Sequence, residues 1–190
     1  VKRLDPDIIM EGEIRDTETA AVAVQAALTG HLVLSSIHAN DAVGVLFRLI
    51  DLGIEPFLIS SALIGVVAQR MIRRVCPHCR VLTQPTEEEA LAYSSVVGEE
   101  LKEYYQGRGC NLCANTGYLG RTGVHEIMVI SDEVRRRMLR GDSAADIKAQ
   151  ALQDGMVSMR EDGMRKVKDS ITTPYEVLRN VFSIGGVESS

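Results

Sequence analysis

The sequence contains no tryptophan, and aromatic residues make up only 4% of its 190 positions. Its core must therefore be built from Ala, Val, Ile, Leu and Met, which the 45% hydrophobic content supplies. No apolar run is long enough to cross a bilayer, and no signal-peptide pattern opens the chain. Basic charge is in deficit. Lys and Arg number 21 against 26 Asp and Glu, for a net charge of −5, which argues against a nucleic-acid partner. Arg70, Arg73, Arg74 and Arg80 do cluster, as do Arg135 to Arg137, but such runs are usually solvated helix faces. Gly-Lys-Ser and Gly-Lys-Thr are both missing, so the phosphate-cradling P-loop is absent. The first residue is Val1, not Met, and a core-like motif already begins at Asp5. The sequence reads as the C-terminal part of a longer protein.

What is present centres on Asp5 to Asp41. Two short apolar runs, Ile8-Ile9-Met10 and Leu32-Val33-Leu34, flank an Ala/Val-rich segment from Thr17 to Leu28. Asp16 and Glu18 open that segment and Gly30 follows it, as helix start and stop signals should. Strand, helix, strand at this length is a right-handed crossover and implies a parallel sheet. Ligands of such sheets bind at the carboxyl ends of the strands, where Gly12-Glu13 and Ser35-Ser36-Ile37-His38 fall. A fully buried parallel strand should be continuously apolar, so Glu11 is an anomaly. It is either solvated at a strand end or a subunit boundary, or a second carboxylate beside Glu13, on whose side alternation puts it.

Further on, Asp41 is an N-cap for a helix closed by Gly53. Glu55-Pro56 then starts a very apolar second helix, from Phe57 through Met71. All four cysteines fall in two C-x-x-C pairs, Cys76/Cys79 and Cys110/Cys113, about thirty residues apart, which is longer than the usual ribbon spacing. Without a secretion signal the compartment is reducing, where disulfides are rare, so the four read as ligands of one structural zinc. His78, inside the first pair, reads as a neighbour of the site and not as a ligand. Between the pairs lies an acidic helical stretch, Glu87 to Tyr105. Thr122 to Val129 reads as a strand returning to a core. Helices follow at Asp132–Leu139, Ser143–Leu152, Ser158–Lys168 and Pro174–Val181. The tail from Gly185 to Ser190 reads as disordered.

DPDIIMEGEIRD resembles the Walker B segment of the secretion ATPases that drive type II secretion and type IV pilus assembly (the GspE/PilB family). TGHLVLSSIHAND resembles the same family's His box, and the likeness continues through VLFRLIDLGIEPFLISSALIGVVAQRMIRRVCPHC, GRTGVHEI and SMREDGMRKV. The resemblance implies an α/β fold: the C-terminal half of a RecA-like P-loop ATPase core (1–75), a tetracysteine zinc module (76–120), a mostly helical C-terminal subdomain (121–184) and a disordered tail (185–190). It implies Glu13 and His38 as catalytic residues. Glu13 acts without the Asp that often precedes such a glutamate, since Gly12 stands there. Gly12, Arg15 and His31 join the cofactor-binding set, with His31, ahead of its strand, also read as a structural or interface residue. Arg15 and Asp16 are placed to pair locally. Zinc would be structural, and ATP and Mg2+ would serve the full-length protein, the present sequence alone being inactive. A hexamer is implied, peripheral to the cytoplasmic face of the inner membrane. It would work with a membrane platform protein and a cytoplasmic recruiting subunit. The tetracysteine module favours the assembly or secretion branch over the pilus-retraction branch. The rival reading is a non-catalytic, zinc-stabilised interaction module that docks a partner through the acidic stretch Glu87 to Tyr105.

Overall fold

The computed structural model describes residues 6–182. Asp5, which opens the first motif, and the tail 185–190 lie outside the described residues. Two compact units form: one holds the chain up to Ala68 together with Ile127–Met156, the other Gln69–Glu126 and the chain from Val157 onward.

In the first unit, strand β1 (Ile8–Glu11), helix α1 (Thr17–Leu28) and strand β2 (Leu32–Ser35) make the expected crossover. β1 and β2 pair in parallel, Ile8 opposite Leu32 through Glu11 opposite Ser35. Asp16 starts α1 by accepting from the Thr19 N–H, and Gly30 ends the turn after it at φ +94°. Burial differs from the expectation. Ile8, Met10, Leu32 and Leu34 share one face by register and are exposed, Met10 to 83%. Only the face bearing Ile9 and Val33 is partly covered. Glu11 is exposed as well, which fits its solvated reading.

Helix α2 (Ala42–Asp51) is capped by Asp41, whose Oδ1 accepts from the Gly44 N–H at 2.8 Å. It packs its apolar side into a core with α3 (Pro56–Ala62), α5 (Asp132–Arg140) and α6 (Ala144–Gln153). Leu46, Ile59, Met128, Val134 and Ile147 are all nearly inaccessible there. Lys148 on α6 donates to Asp41 at 2.7 Å.

The long second helix expected over Phe57 to Met71 is not there. Helix α3 stops at Ala62, Leu63 turns extended, and strand β3 (Gly65–Val75) follows, paired with β6 (Tyr118–Val129). Ala68, Gln69, Arg70 and Met71 are good helix formers, but a waiting partner strand overrides so weak a preference. Gly65 marks the switch, since a Cβ there would sit 3.2 Å from the Met128 carbonyl oxygen.

In the second unit, β4 (Arg80–Thr83) and β5 (Tyr104–Gly107) form an antiparallel pair, with Arg80 opposite Gly107. The acidic stretch between them is helical only as α4 (Glu87–Val97). Gly98, at φ +77°, ends it, and Tyr104 and Tyr105 belong to β5. Thr86 and Glu89 close a reciprocal capping box on α4, and the Tyr104 hydroxyl donates to the same buried carboxylate. Helices α7 (Met159–Lys168) and α8 (Pro174–Val177) follow, and the last turn widens to a π-helix over Leu178–Phe182 instead of continuing as α to Val181. No helix among the described residues is long and apolar enough to cross a membrane.

One polar clamp fixes α8 to β3. The Arg73 guanidinium donates to both Glu176 carboxylate oxygens, with Nη2 at 2.6 Å from Oε2, and stacks over the Tyr118 ring at 4.1 Å. The Tyr118 hydroxyl meets Thr173 Oγ1 at 2.8 Å. Burial of the Glu176 carboxyl opposes its ionisation, but the hydrogen bonds from Arg73 win and hold it below the usual carboxylate range. Glu176→Ala leaves a partly buried guanidinium without its partner and should destabilise this unit by about 1–3 kcal/mol, read as a lower denaturant midpoint. Because the folded pKa is depressed, the pair's contribution is present above the unfolded value and lost as pH falls through the folded one. Wild type should therefore lose stability on acidification more steeply than the variant.

Candidate functional site

Glu13 lies just past the carboxyl end of β1, where the loop to α1 is tied to the end of β2. Ile14 N–H donates to the Ser36 carbonyl at 2.8 Å, and Ser36 Oγ donates to the Gly12 carbonyl at 2.7 Å. Gly12 thus serves through its backbone, and a Cβ there would meet nothing within 4 Å. Arg15 Nε donates to Glu13 Oε2 at 2.6 Å, with Nη2 on the same oxygen. His38 Nε2 lies 2.8 Å from the other oxygen, Oε1. The hydrogen bond from Arg15 holds the Glu13 carboxyl below its usual range, against partial burial, and the charges of Arg15 and His38 add to it. Glu13 is therefore ionised at neutral pH.

The two carboxylate oxygens differ. Oε2 is occupied by the guanidinium, whereas Oε1 is shielded from solvent and accepts no hydrogen bond of good geometry. Its near neighbour is His38 Nε2, and since a carboxylate oxygen carries two lone pairs, Oε1 keeps acceptor capacity beside that contact. An open lone pair on a fixed carboxylate suits a water molecule, or a water held by a cation.

Sequence placed Glu13 and His38 at neighbouring strand ends, and the fold brings them into contact. The expected Arg15–Asp16 pair does not form: Asp16 is engaged as the α1 cap, its carboxyl lowered by the Thr19 amide, which leaves Arg15 for Glu13. His31 sits at the end of α1, its Nδ1 3.0 Å from the Ala26 carbonyl and 3.2 Å from Thr29 Oγ1. The role of Ser36 in joining the two strand ends was not anticipated. A hydroxyl following an apolar strand run is the only sequence signal for it.

The second cluster is the cysteines. The four Sγ atoms lie within 4.8 Å of one another and none is in a disulfide. Cys76–Cys110 and Cys79–Cys113 are 3.9 Å apart, and Cys110–Cys113 3.7 Å. Four sulfurs about 2.3 Å from one tetrahedral centre stand about 3.8 Å apart, so the set is compatible with such an ion. Backbone amides reach the sulfurs: Gly109 N–H to Cys79 at 3.3 Å and Cys110 N–H to Cys113 at 3.2 Å. Burial pushes the Cys79 thiol up to about 12. Burial also opposes ionisation of Cys113, yet the amides of Cys110 and Gly117 help to hold it down to about 6.

The parallel β1–α1–β2 crossover, with an ionised carboxylate and a histidine at its strand ends, defines the chain as an α/β protein. The chain belongs to the Type II/IV secretion system protein family, which it matches over residues 1–179. It is 50% identical over 180 residues to the type IV pilus assembly ATPase PilB of Thermus thermophilus, covering 93% of this chain and 20% of that protein. It is also 50% identical over 179 residues to the type II secretion system protein HxcR of Pseudomonas aeruginosa, covering 94% of this chain and 34% of that protein. The chain thus spans 20% and 34% of the length of these two relatives. In fold it resembles the ATPase DotB of Yersinia pseudotuberculosis, with a TM-score of 0.65 at 18% identity, covering 95% of this chain and 38% of that one.

Proposed function

We propose that this chain is the C-terminal portion of a hexameric motor that couples ATP hydrolysis to type II protein secretion or type IV pilus assembly. The observation that carries the reading is the ionised Glu13 carboxylate at the strand ends, one oxygen held by Arg15 and the other keeping acceptor capacity beside His38. Attack of water on a γ-phosphate needs a nearby carboxylate to orient the water and receive its proton. Glu13 Oε1 does this work, and Arg15 keeps that oxygen aimed by fixing its twin. His38, whose side chain is 91% exposed, senses the γ-phosphate from the end of β2. Gly12 keeps the loop tied to Ser36, and His31 acts from the turn between α1 and β2. Mg2+, when bound with ATP, supplies charge neutralisation, and Glu13 is the residue that would hold its hydration shell.

Cys76, Cys79, Cys110 and Cys113 hold one structural zinc, which cross-links the segment and takes no part in hydrolysis. The bare Ile8, Met10, Leu32 and Leu34 face accepts the further layer that a parallel sheet requires. The ring works at the cytoplasmic face of the inner membrane against a platform protein and a cytoplasmic recruiting subunit. The names of the relatives, a pilus assembly ATPase and a type II secretion protein, support that setting. Steady-state ATP hydrolysis by the full-length protein tests the activity. The 190-residue chain alone, which has no Gly-Lys-Ser/Thr loop, should bind Mg-ATP only weakly and turn over none measurably. Calorimetry checks this, and tight saturable binding would place the phosphate site within this chain.

A further inference from the structure

The two cysteine pairs are far apart in sequence and must be brought within ångströms of one another. The parts that do so are backbone. Gly109, just before the second pair, donates its N–H to Cys79, and Gly117, just after it, accepts from the Cys76 N–H at 2.9 Å. Each member of the first pair is therefore gripped by a residue flanking the second.

The grip depends on an unusually close approach. A Cβ on Gly107 would fall 2.0 Å from the Gly117 carbonyl oxygen and 2.6 Å from its carbon, and a Cβ on Gly117 would fall 2.4 Å from the Gly107 oxygen. A Cβ on Gly109 would fall 2.8 Å from the Asn115 oxygen. In all three cases the obstacle is main chain, which cannot rotate away. Gly117 and Gly109 also have positive φ, at +76° and +97°, while Gly107 does not, so at Gly107 space alone demands glycine.

We propose that Gly107 and Gly117 form a backbone clasp that positions the two cysteine pairs for one metal ion; this rests on the zinc reading above. A methyl at 107 must drive the Gly117 carbonyl back by about 1 Å to reach a normal contact, whereas metal–ligand distances hold to about 0.2 Å. That displacement breaks the Cys76 N–H bond and spreads Cys76 from Cys110. Cys76 and Cys79 then cannot complete the tetrahedron with Cys110 and Cys113.

The test uses the full-length protein as wild type, Gly107→Ala and Gly120→Ala. Gly120 has the same positive φ, +76°, but open space around its missing Cβ, so it isolates backbone strain from crowding. Zinc content and competition with cobalt(II), followed by its thiolate absorption bands, give the affinities, and far-ultraviolet circular dichroism follows the helices. Gly107→Ala should bind about 10–100-fold more weakly, as for other groups that orient metal ligands, with helix content retained and Gly120→Ala near wild type. Equal affinity in wild type and Gly107→Ala overturns the clasp, and so does an equal loss in Gly120→Ala. Loss of helix throughout Gly107→Ala overturns it too, since the contact would then be general packing. A wild-type protein that takes up no zinc refutes the metal reading itself, an outcome distinct from these.

Discussion

Cys110→Ser should release the metal and unfold the segment Cys76 to Gly120 ahead of the rest of the molecule. Cys110 stands 3.9 Å from Cys76 and 3.7 Å from Cys113, so its removal breaks the link between the pairs. The segment buries little apolar surface of its own. Its buried hydrophobic residues are Cys76, Tyr93, Leu101, Tyr104 and Cys113, and two of these are the proposed ligands. Cores this small do not sustain a fold unaided, while structural zinc contributes on the order of 10–16 kcal/mol in peptides of this kind. The first unit, with Leu46, Ile59, Met128 and Val134 packed together, should stay folded. Limited proteolysis of the variant should cut between 76 and 120 first, and metal analysis should fall from about one zinc per chain towards none. A folded, zinc-free wild type with two disulfides would contradict this.

How much of this could be read from the letters depended on whether the deciding interaction was local. The crossover β1–α1–β2 was legible because Asp16 and Gly30 punctuate a helix between two apolar runs. The cysteine cluster was legible because two residues between thiols is itself a metal-binding geometry. Strand β3 was not, because its helix-forming letters are outweighed by a partner, β6, that lies some fifty positions away in the sequence. The partner of Arg15 was misread since Asp16 is the nearer acid, and only the helix cap reveals that it is taken. Sequence singled out Glu13 and His38 separately, yet their 2.8 Å contact exists only once β1 and β2 pair. The crowding of Gly107 against Gly117 has no signature beyond a high local glycine content.

Glu13→Gln should leave nucleotide affinity largely intact and slow hydrolysis by roughly two to four powers of ten, the range for a positioned acid or base. Gln keeps the size and one oxygen but loses the charge and the basicity, and it cannot hold the Arg15 guanidinium as an ion pair. Chemistry should therefore suffer more than binding. His38→Ala should also reduce turnover, since it removes the group facing Oε1. Glu11→Val should stay within about 0.5 kcal/mol of wild type in stability and leave the rate unchanged, as expected of an exposed side chain that takes no part in the chemistry. The measurement that bears most directly on the central claim is the steady-state ATP hydrolysis rate of the full-length protein beside its ATP affinity, for wild type and Glu13→Gln. The account predicts a rate lower by at least about a hundredfold at nearly unchanged affinity; a variant that hydrolyses ATP at the wild-type rate would contradict it.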